Sequence, residues 1–259
     1  MKVGIYYKQE NHDLVETIKK ELKKYNLSID NRQPDIVFSV GGDGTFLRAV
    51  HMYMDRLDEI HFIGINSGSL GFFYDFNKEE IPQIIEKIAK NEYFVKEHAL
   101  LKGEVKFANH EETIYALNEI RIENPFHTLI SDVLINGEKL ENYRGNGLVV
   151  ASTLGSSAYN KSLGGSLIDN DIDALELTEI AGIQNNVYRS LGSSLVIKGD
   201  KVISFKGKLG NSVVGYDYLN LEKGDNLQEV NISYSEKKVK IVSSENHSYI
   251  QKIRKSFVL

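Results

Sequence analysis

Val40-Gly41-Gly42-Asp43-Gly44-Thr45 is the stretch on which the reading of this chain turns. It follows Asp35-Ile36-Val37-Phe38-Ser39-Val40, a short run rich in β-branched and aromatic residues that reads as a buried strand. It precedes Phe46-Leu47-Arg48-Ala49-Val50-His51-Met52-Tyr53, which holds good helix formers and neither Gly nor Pro. Three glycines and one carboxylate therefore stand where a strand hands over to a helix. Glycine opens backbone angles closed to other residues and lets a ligand come close to the main chain. The N–H groups that open a helix lack internal partners and favour anions. A carboxylate in such a turn would repel phosphate unless it had a task of its own. One such task is catalysis, with Asp43 as a base beside a phosphate-binding turn. The plainer alternative is that Asp43 caps the helix and the glycines only permit the bend.

Working outward, residues 1–98 alternate strand and helix. Residues 3–7 read as a strand, and 12–25 as a helix with Leu14, Ile18 and Leu22 at a spacing of four. Residues 61–65 form the next strand, followed by the loop Asn66-Ser67-Gly68-Ser69-Leu70-Gly71-Phe72. A helix from about 79 to 90 tolerates Pro82 in its first turn. This alternation predicts an α/β domain with a parallel sheet covered on both faces. Ligands bind such sheets beyond the carboxyl ends of the strands, where the Asp43 turn and the Asn66 loop both fall. From residue 99 to 247 the pattern changes to an all-β, sandwich-like domain. Its expected strands are 100–107, 113–122, 129–135, 147–151, 195–198, 202–205, 211–220, 227–234 and 238–242. Asn136-Gly137 and Gly199-Asp200 are hairpin signals. Only 174–181 reads as helical in this half. Residues 248–259 are basic, with Ile250, Ile253 and Phe257 spaced for one helical face, and either pack back on the first domain or fray.

Composition narrows the chemistry. A charge of −5 over 259 residues argues against general affinity for nucleic acid or anionic membrane. The absence of cysteine excludes disulfides, thiolate metal sites and thiol catalysis. The seven histidines form no His-Glu-x-x-His pair, and no residue is assigned as a metal ligand. No stretch approaches the ~20 apolar residues of a membrane helix. The opening run Met1-Lys2-Val3-Gly4-Ile5-Tyr6-Tyr7-Lys8 is too short for a signal peptide. A cytoplasmic protein is expected.

A second constellation lies in the β half. Ser152-Thr153-Leu154-Gly155-Ser156-Ser157-Ala158-Tyr159-Asn160-Lys161-Ser162-Leu163-Gly164-Gly165 is dense in hydroxyls, amides and glycine. It offers many neutral donors and acceptors to a polar ligand, or else is a surface loop. Asn118-Glu119 interrupts an apolar strand and suits a ribose diol, the carboxylate accepting two hydroxyl protons; a solvated strand end is the alternative. Arg144-Gly145-Asn146-Gly147 is a further polar turn flanked by glycine.

Together these stretches resemble the NAD kinase family. The resemblance runs from Gly41-Gly42-Asp43-Gly44-Thr45 through Gly68-Ser69-Leu70-Gly71-Phe72 and Asn118-Glu119 to the hydroxyl-rich segment. The glycine turn alone is shared with lipid kinases and, in similar form, with phosphofructokinases; the long segment is much more particular. The resemblance implies phosphorylation of the 2′-hydroxyl of the adenosine ribose of NAD to give NADP, with ATP or polyphosphate as donor. It implies a divalent metal such as Mg carried with the donor, and a homo-oligomer, often a tetramer. It makes Asp43 the proton acceptor, with Gly44 beside it at the dinucleotide phosphates and Phe72 among the residues that bind the dinucleotide. Asn118 and Glu119 would hold ribose and adenine. Ser157, Ala158, Tyr159, Asn160, Lys161 and Ser162 would line the adenosine pocket. Arg144, Asn146 and Ala181 would contact the dinucleotide, and Asp217 matches the family's second Asp dipeptide. The chain departs from the family pattern at Asn146, usually Asp, at Thr153, usually Pro, and at Tyr218, often His or Gly. A lipid kinase and a non-catalytic dinucleotide sensor are the alternatives.

Overall fold

The strand Ile36–Gly41 is buried at every residue, as a strand covered on both faces must be. It belongs to a computed structural model that describes residues 1–68, 71–210, 212–221, 226–244 and 248–259. The chain falls into two units, Met1–His98 with Lys237–Leu259, and Ala99–Glu236. The second residue group begins and ends inside the strands Phe94–Phe107 and Leu227–Ser243.

In the first unit the strands lie in the order Ser28–Ile29, Lys2–Tyr7, Ile36–Gly41, His61–Asn66 and the last residues of Leu227–Ser243, all parallel. Alternation along the strands separates two apolar faces. Ile36, Phe38 and Val40 pack with Val15, Ile18 and Leu22 of helix His12–Lys24, and with Ile84, Ile85 and Ile88 of helix Ile81–Lys90. On the other face Phe46, from helix Asp43–Met52, meets Phe62 edge-on and stacks on Phe73 with centroids 4.8 Å apart. That helix opens at Asp43 and not at Phe46, because the Gly42 carbonyl already accepts the Thr45 and Phe46 N–H groups at 2.6 and 3.3 Å. Among the described residues no helix is long and apolar enough to cross a membrane.

The second unit is a layered β structure. One antiparallel sheet runs Leu195–Lys198, Ala174–Ile180, Gly147–Ala151, Glu119–Glu123, Val213–Tyr216, Leu219–Asn220. A second group of strands includes Ile203–Gly210, Leu129–Ile135 and Glu138–Gly145. Ile120, Val150, Leu175 and Leu177 from the first share one core with Val133, Phe205 and Val230 from the second.

Several local expectations are corrected. Ala174–Ile180 is a strand between two others, not a helix. Its Leu and Glu favour helix, but Leu175 and Leu177 alternate into the core while Glu176 points to the other face, and tertiary packing overrides propensity. Gly199-Asp200 is not a hairpin turn: Leu195–Lys198 pairs with Ala174–Ile180, whereas Ile203–Gly210 pairs in the other group. The expected strand 113–122 breaks into Glu111–Ala116 and Glu119–Glu123, and 211–220 into Val213–Tyr216 and Leu219–Asn220. Asn211 lies outside the described residues, as do Ser69 and Leu70 of the Asn66 loop. Residues 227–234 and 238–242 merge into one strand, Leu227–Ser243. Asn136-Gly137 does turn a hairpin, whose second arm, Glu138–Gly145, was not anticipated: Glu138, Lys139 and Leu140 are exposed and carry little apolar alternation.

Candidate active site

Asp43 is held from the loop that follows strand His61–Asn66. Its Oδ2 accepts the Phe72 N–H at 3.0 Å and its Oδ1 the Phe73 N–H at 3.1 Å. The Tyr74 hydroxyl donates to the Gly42 carbonyl at 2.5 Å and so ties the same loop to the glycine turn. Burial pushes the Asp43 carboxyl above the usual carboxylate range; the two N–H groups and the Lys252 ammonium act against that shift without cancelling it. Burial likewise pushes the Tyr74 phenol up, so it stays a hydrogen-bond donor at any working pH. The result is a fixed, partly desolvated carboxylate in the first turn of a helix, suited to taking a proton from a bound hydroxyl. Gly44 follows Asp43 in the first turn of the helix, and Phe72 meets the carboxylate through its N–H.

In the second unit, the strand break at Leu117-Asn118 has a partner far along the chain. Asp217, at φ 48°, accepts the Leu117 N–H at 2.9 Å and the Asn118 N–H at 2.7 Å. Arg121 donates to the Asp217 carbonyl at 2.9 Å. The Asn118 Oδ1 and Glu119 Oε2 atoms are buried and, among the described residues, have no hydrogen-bond partner. Buried acceptors of this kind are costly, and two on consecutive residues suit donors brought by a ligand. Glu119 meets Arg121 only at 3.6 Å. Burial, and then the neighbouring Asp217 carboxylate, push its carboxyl up to about 8.

A ligand-independent consequence follows. A carboxyl whose folded-state affinity for a proton is raised supports the fold fully below its unfolded value, near ~4.3, and loses that support as pH rises through about 8. Glu119→Gln removes the charge and keeps the shape. Urea unfolding at pH 5.5 and 8.5 should show the variant gaining on the wild type at the higher pH by a few kcal/mol, on the order expected for a shift of this size. Parallel stabilities at both pH values would contradict the raised Glu119.

The hydroxyl-rich segment is not an open loop. It folds as a short 3-10 turn, Leu154–Ser157, and one helical turn, Tyr159–Ser162. The Ser152 hydroxyl donates to the Leu117 carbonyl at 2.6 Å and accepts the Gly155 N–H at 3.1 Å, fastening the segment to the strand break. Asn160 is fully buried; its amide donates to Glu176 Oε2 at 2.6 Å and accepts from the Thr178 hydroxyl at 2.6 Å. Its side chain ties the segment to strand Ala174–Ile180. Asn160→Ala strands those two buried groups and should lower unfolding stability by about 3 kcal/mol, read as a shifted urea midpoint at unchanged slope. Tyr159 is partly exposed, its hydroxyl 3.1 Å from Glu123 Oε1 and its ring 5.8 Å from the Arg121 guanidinium. Ser157, Ala158 and Lys161 are half-buried and Ser162 is exposed.

Arg144, Asn146 and Ala181 gather separately. The Ile183 N–H donates to the Arg144 carbonyl at 2.7 Å, and the Asn146 N–H to the Ile180 carbonyl at 2.9 Å. Asn146 Nδ2 donates to the Asn124 carbonyl at 3.1 Å, a bond the family's usual Asp could not make. The Arg144 guanidinium lies 4.4 Å from the Tyr188 ring centre, and Ala181 is exposed at φ 50°. Strand Gly147–Ala151 separates Asn146 from Ser152, six residues on, by about 20 Å. Sequence reasoning assigned these residues, like Asn118 and Glu119, to the dinucleotide; within the sheet Gly147 pairs with Glu123 and Ala151 with Glu119, so Asn146 stands at the far end of the strand from the Asn118 break. Sequence reasoning also missed Arg121, Tyr74 and Lys252. Arg121 and Tyr74 carry no local signal, and Lys252 is one of several lysines in a basic tail.

Comparison with known proteins bears on this geometry. Residues 4–93 match the family model described as ATP-NAD kinase N-terminal domain, and residues 117–244 the ATP-NAD kinase C-terminal domain. An NAD kinase from Leuconostoc mesenteroides is 35% identical, over all of this chain and 98% of the relative. An NAD kinase 1 from Listeria monocytogenes is 39% identical over 91% of this chain and 90% of its own. Two solved structures share the fold: yeast NADH kinase complexed with NADH, at TM-score 0.87 and 20% identity over 99% of this chain and 87% of that one; and an Archaeoglobus fulgidus NAD kinase in complex with ATP, at TM-score 0.81 and 22% identity over 98% and 99%. Two family models together span most of its length and a relative 35% identical spans all of it, so this chain belongs to the NAD kinase family.

Proposed function

We propose that this protein transfers a phosphoryl group from ATP or polyphosphate to the 2′-hydroxyl of the adenosine ribose of NAD, giving NADP. The observation that carries this reading is the Asp43 carboxylate, fixed by the Phe72 and Phe73 N–H groups at the mouth of a helix. Residues 1–98, with 248–259, supply the catalytic turn, and 99–247 bind the dinucleotide. Phosphoryl transfer asks little covalent chemistry of a protein; positioning and charge neutralisation supply most of the acceleration. Asp43 takes the proton late, as the bond from oxygen to phosphorus forms, and must then lie about 2.6–3.2 Å from the hydroxyl. Asn118 Oδ1 and Glu119 Oε2 accept hydrogen bonds from ribose and adenine. Ser157, Ala158, Tyr159, Lys161 and Ser162 line the adenosine side, Asn160 supports them from below, and Asp217 holds the strand break open.

Among the described residues no three His, Asp or Glu side chains gather as a metal cage. The divalent metal, Mg for example, would come with the donor, held by its phosphates. The remaining expectations are a homotetramer in the cytoplasm with no nucleic-acid or membrane partner; light scattering of the purified protein tests the assembly. An NADP-formation assay with ATP and polyphosphate run side by side tests the function. NAD bound calorimetrically with no NADP from either donor would replace this reading with that of a dinucleotide sensor.

A further inference from the structure

The C-terminal helix Tyr249–Ile253 sends an ammonium into the loop that holds Asp43. Lys252 Nζ donates to the Phe72 carbonyl at 2.7 Å and lies 2.6 Å from Asp75 Oδ1. The Phe72 carbonyl and the Phe73 N–H are the two ends of one peptide unit, and that N–H donates to Asp43 Oδ1 at 3.1 Å. The chain's described peptide bonds are trans, so the two ends point to opposite sides. An ammonium therefore draws on the oxygen at one side while a carboxylate takes the hydrogen at the other, and hydrogen bonds in such a chain strengthen one another.

The anchor beneath is firm. Asp75 is 6% exposed, and its second oxygen accepts the Ser244 N–H at 3.0 Å. The Phe72 and Phe257 rings meet at 5.6 Å and add an apolar contact between loop and tail. The cavity beside Lys252, bounded by Gly71, Tyr74, Asp75 and Lys255, holds about 60 Å³. The Lys252 ammonium is committed there to the Phe72 carbonyl and the Asp75 carboxylate, so it acts on Asp43 through the loop.

We infer that Lys252 is a positioning residue for Asp43, gripping the Phe72–Phe73 peptide so that its N–H sets the carboxylate for phosphoryl transfer. This rests on the kinase reading above. Among the described residues, Tyr74, Asp75 and Lys252 are titratable groups packed around the Asp43 loop, with Lys255 at the cavity rim. Of these, Lys252 is the one whose positive charge opposes protonation of Asp43.

The test is Lys252→Met, which keeps the apolar stem and removes the charge, with Lys252→Arg as the conservative partner. In the full-length methionine variant kcat should fall roughly ten- to a hundredfold while KM for NAD and for ATP moves less than about twofold. A base is active when deprotonated, so the acid limb of the kcat–pH profile should move to higher pH. Lys252→Arg should recover most of the rate. In the unliganded protein, the Phe73 amide proton should shift upfield and the Asp43 carboxyl, followed by carbon NMR, should titrate higher in the methionine variant. Unchanged kcat with an unmoved acid limb would overturn the inference. So would a raised KM for ATP at constant kcat, which would make Lys252 a donor-binding group. Should the wild type form no NADP, the kinase reading fails, and the two NMR readouts decide the Lys252 contact by themselves: unmoved Phe73 and Asp43 signals overturn it.

Discussion

Asp43→Asn binds NAD with near wild-type affinity and forms NADP roughly a thousandfold more slowly, the range that loss of a positioned general base produces. The expectation follows from what the two side chains offer to the same site. The carboxylate accepts one N–H on each oxygen, from Phe72 and Phe73. An amide keeps one acceptor and turns a donor toward the other N–H, leaving a buried pair of donors at a cost of about 1–3 kcal/mol. Against that, the amide is relieved of the burial penalty that holds the Asp43 carboxyl above its ordinary range. The two effects oppose each other, so the thermal midpoint should move by only a few degrees, on the order of what 1 kcal/mol does in a domain of this size. Calorimetry for binding, a coupled assay for turnover and a melting curve together separate a lost base from a lost fold. Wild-type-like turnover in a folded variant would remove Asp43 from the chemistry. In the wild type, turnover should fall as pH drops through a value above the ~3.9 of an ordinary aspartate.

That carboxylate was legible in the sequence because everything that announces it is local. A β-branched run, a glycine-rich turn and a helix-forming run follow one another within residues 35–53. The parallel sheet of the first unit was legible for the same reason, since strand-helix alternation is written along the chain. What could not be read is whatever depends on distant partners. Ala174–Ile180 looks helical by composition and becomes a strand because Gly147–Ala151 and Leu195–Lys198 flank it. The break at Leu117-Asn118 showed as a polar interruption, but its cause, Asp217, lies 100 residues away from Leu117. Glu119 offers a similar lesson: two adjacent polar letters leave a ribose grip and a solvated strand end both open, and only burial shows an acceptor that has no partner among the described residues. Asn160 was visible as part of a polar segment. Its commitment to Glu176 and Thr178 required knowing which strand lies beneath.

The glycines of that segment show the same divide and lead to the second large effect. Composition gives Gly155 and Gly164 the same reading, that of residues suited to a loop. Their surroundings differ. A Cβ built on Gly155 would stand 2.0 Å from the Asn118 carbonyl oxygen and 2.4 Å from its carbon, both backbone atoms that cannot swing aside. A Cβ on Gly164 would meet nothing within 4 Å, although φ there is 88° and disfavours any side chain. Gly155→Ala must therefore lift the segment off the strand break, stretching the bonds through Ser152 that hold it. Overpacking of this kind costs about 1–3 kcal/mol, and most of it falls on the geometry around Asn118 and Glu119. NAD affinity should drop roughly thirtyfold at the middle of that range. Gly164→Ala should cost about 1 kcal/mol of stability through backbone strain and change NAD affinity less than about fivefold. Calorimetric titration of both variants decides between close approach and plain flexibility. Equal losses at the two positions would mean that the segment binds by being pliable, and that its docking on the Asn118 carbonyl plays no part.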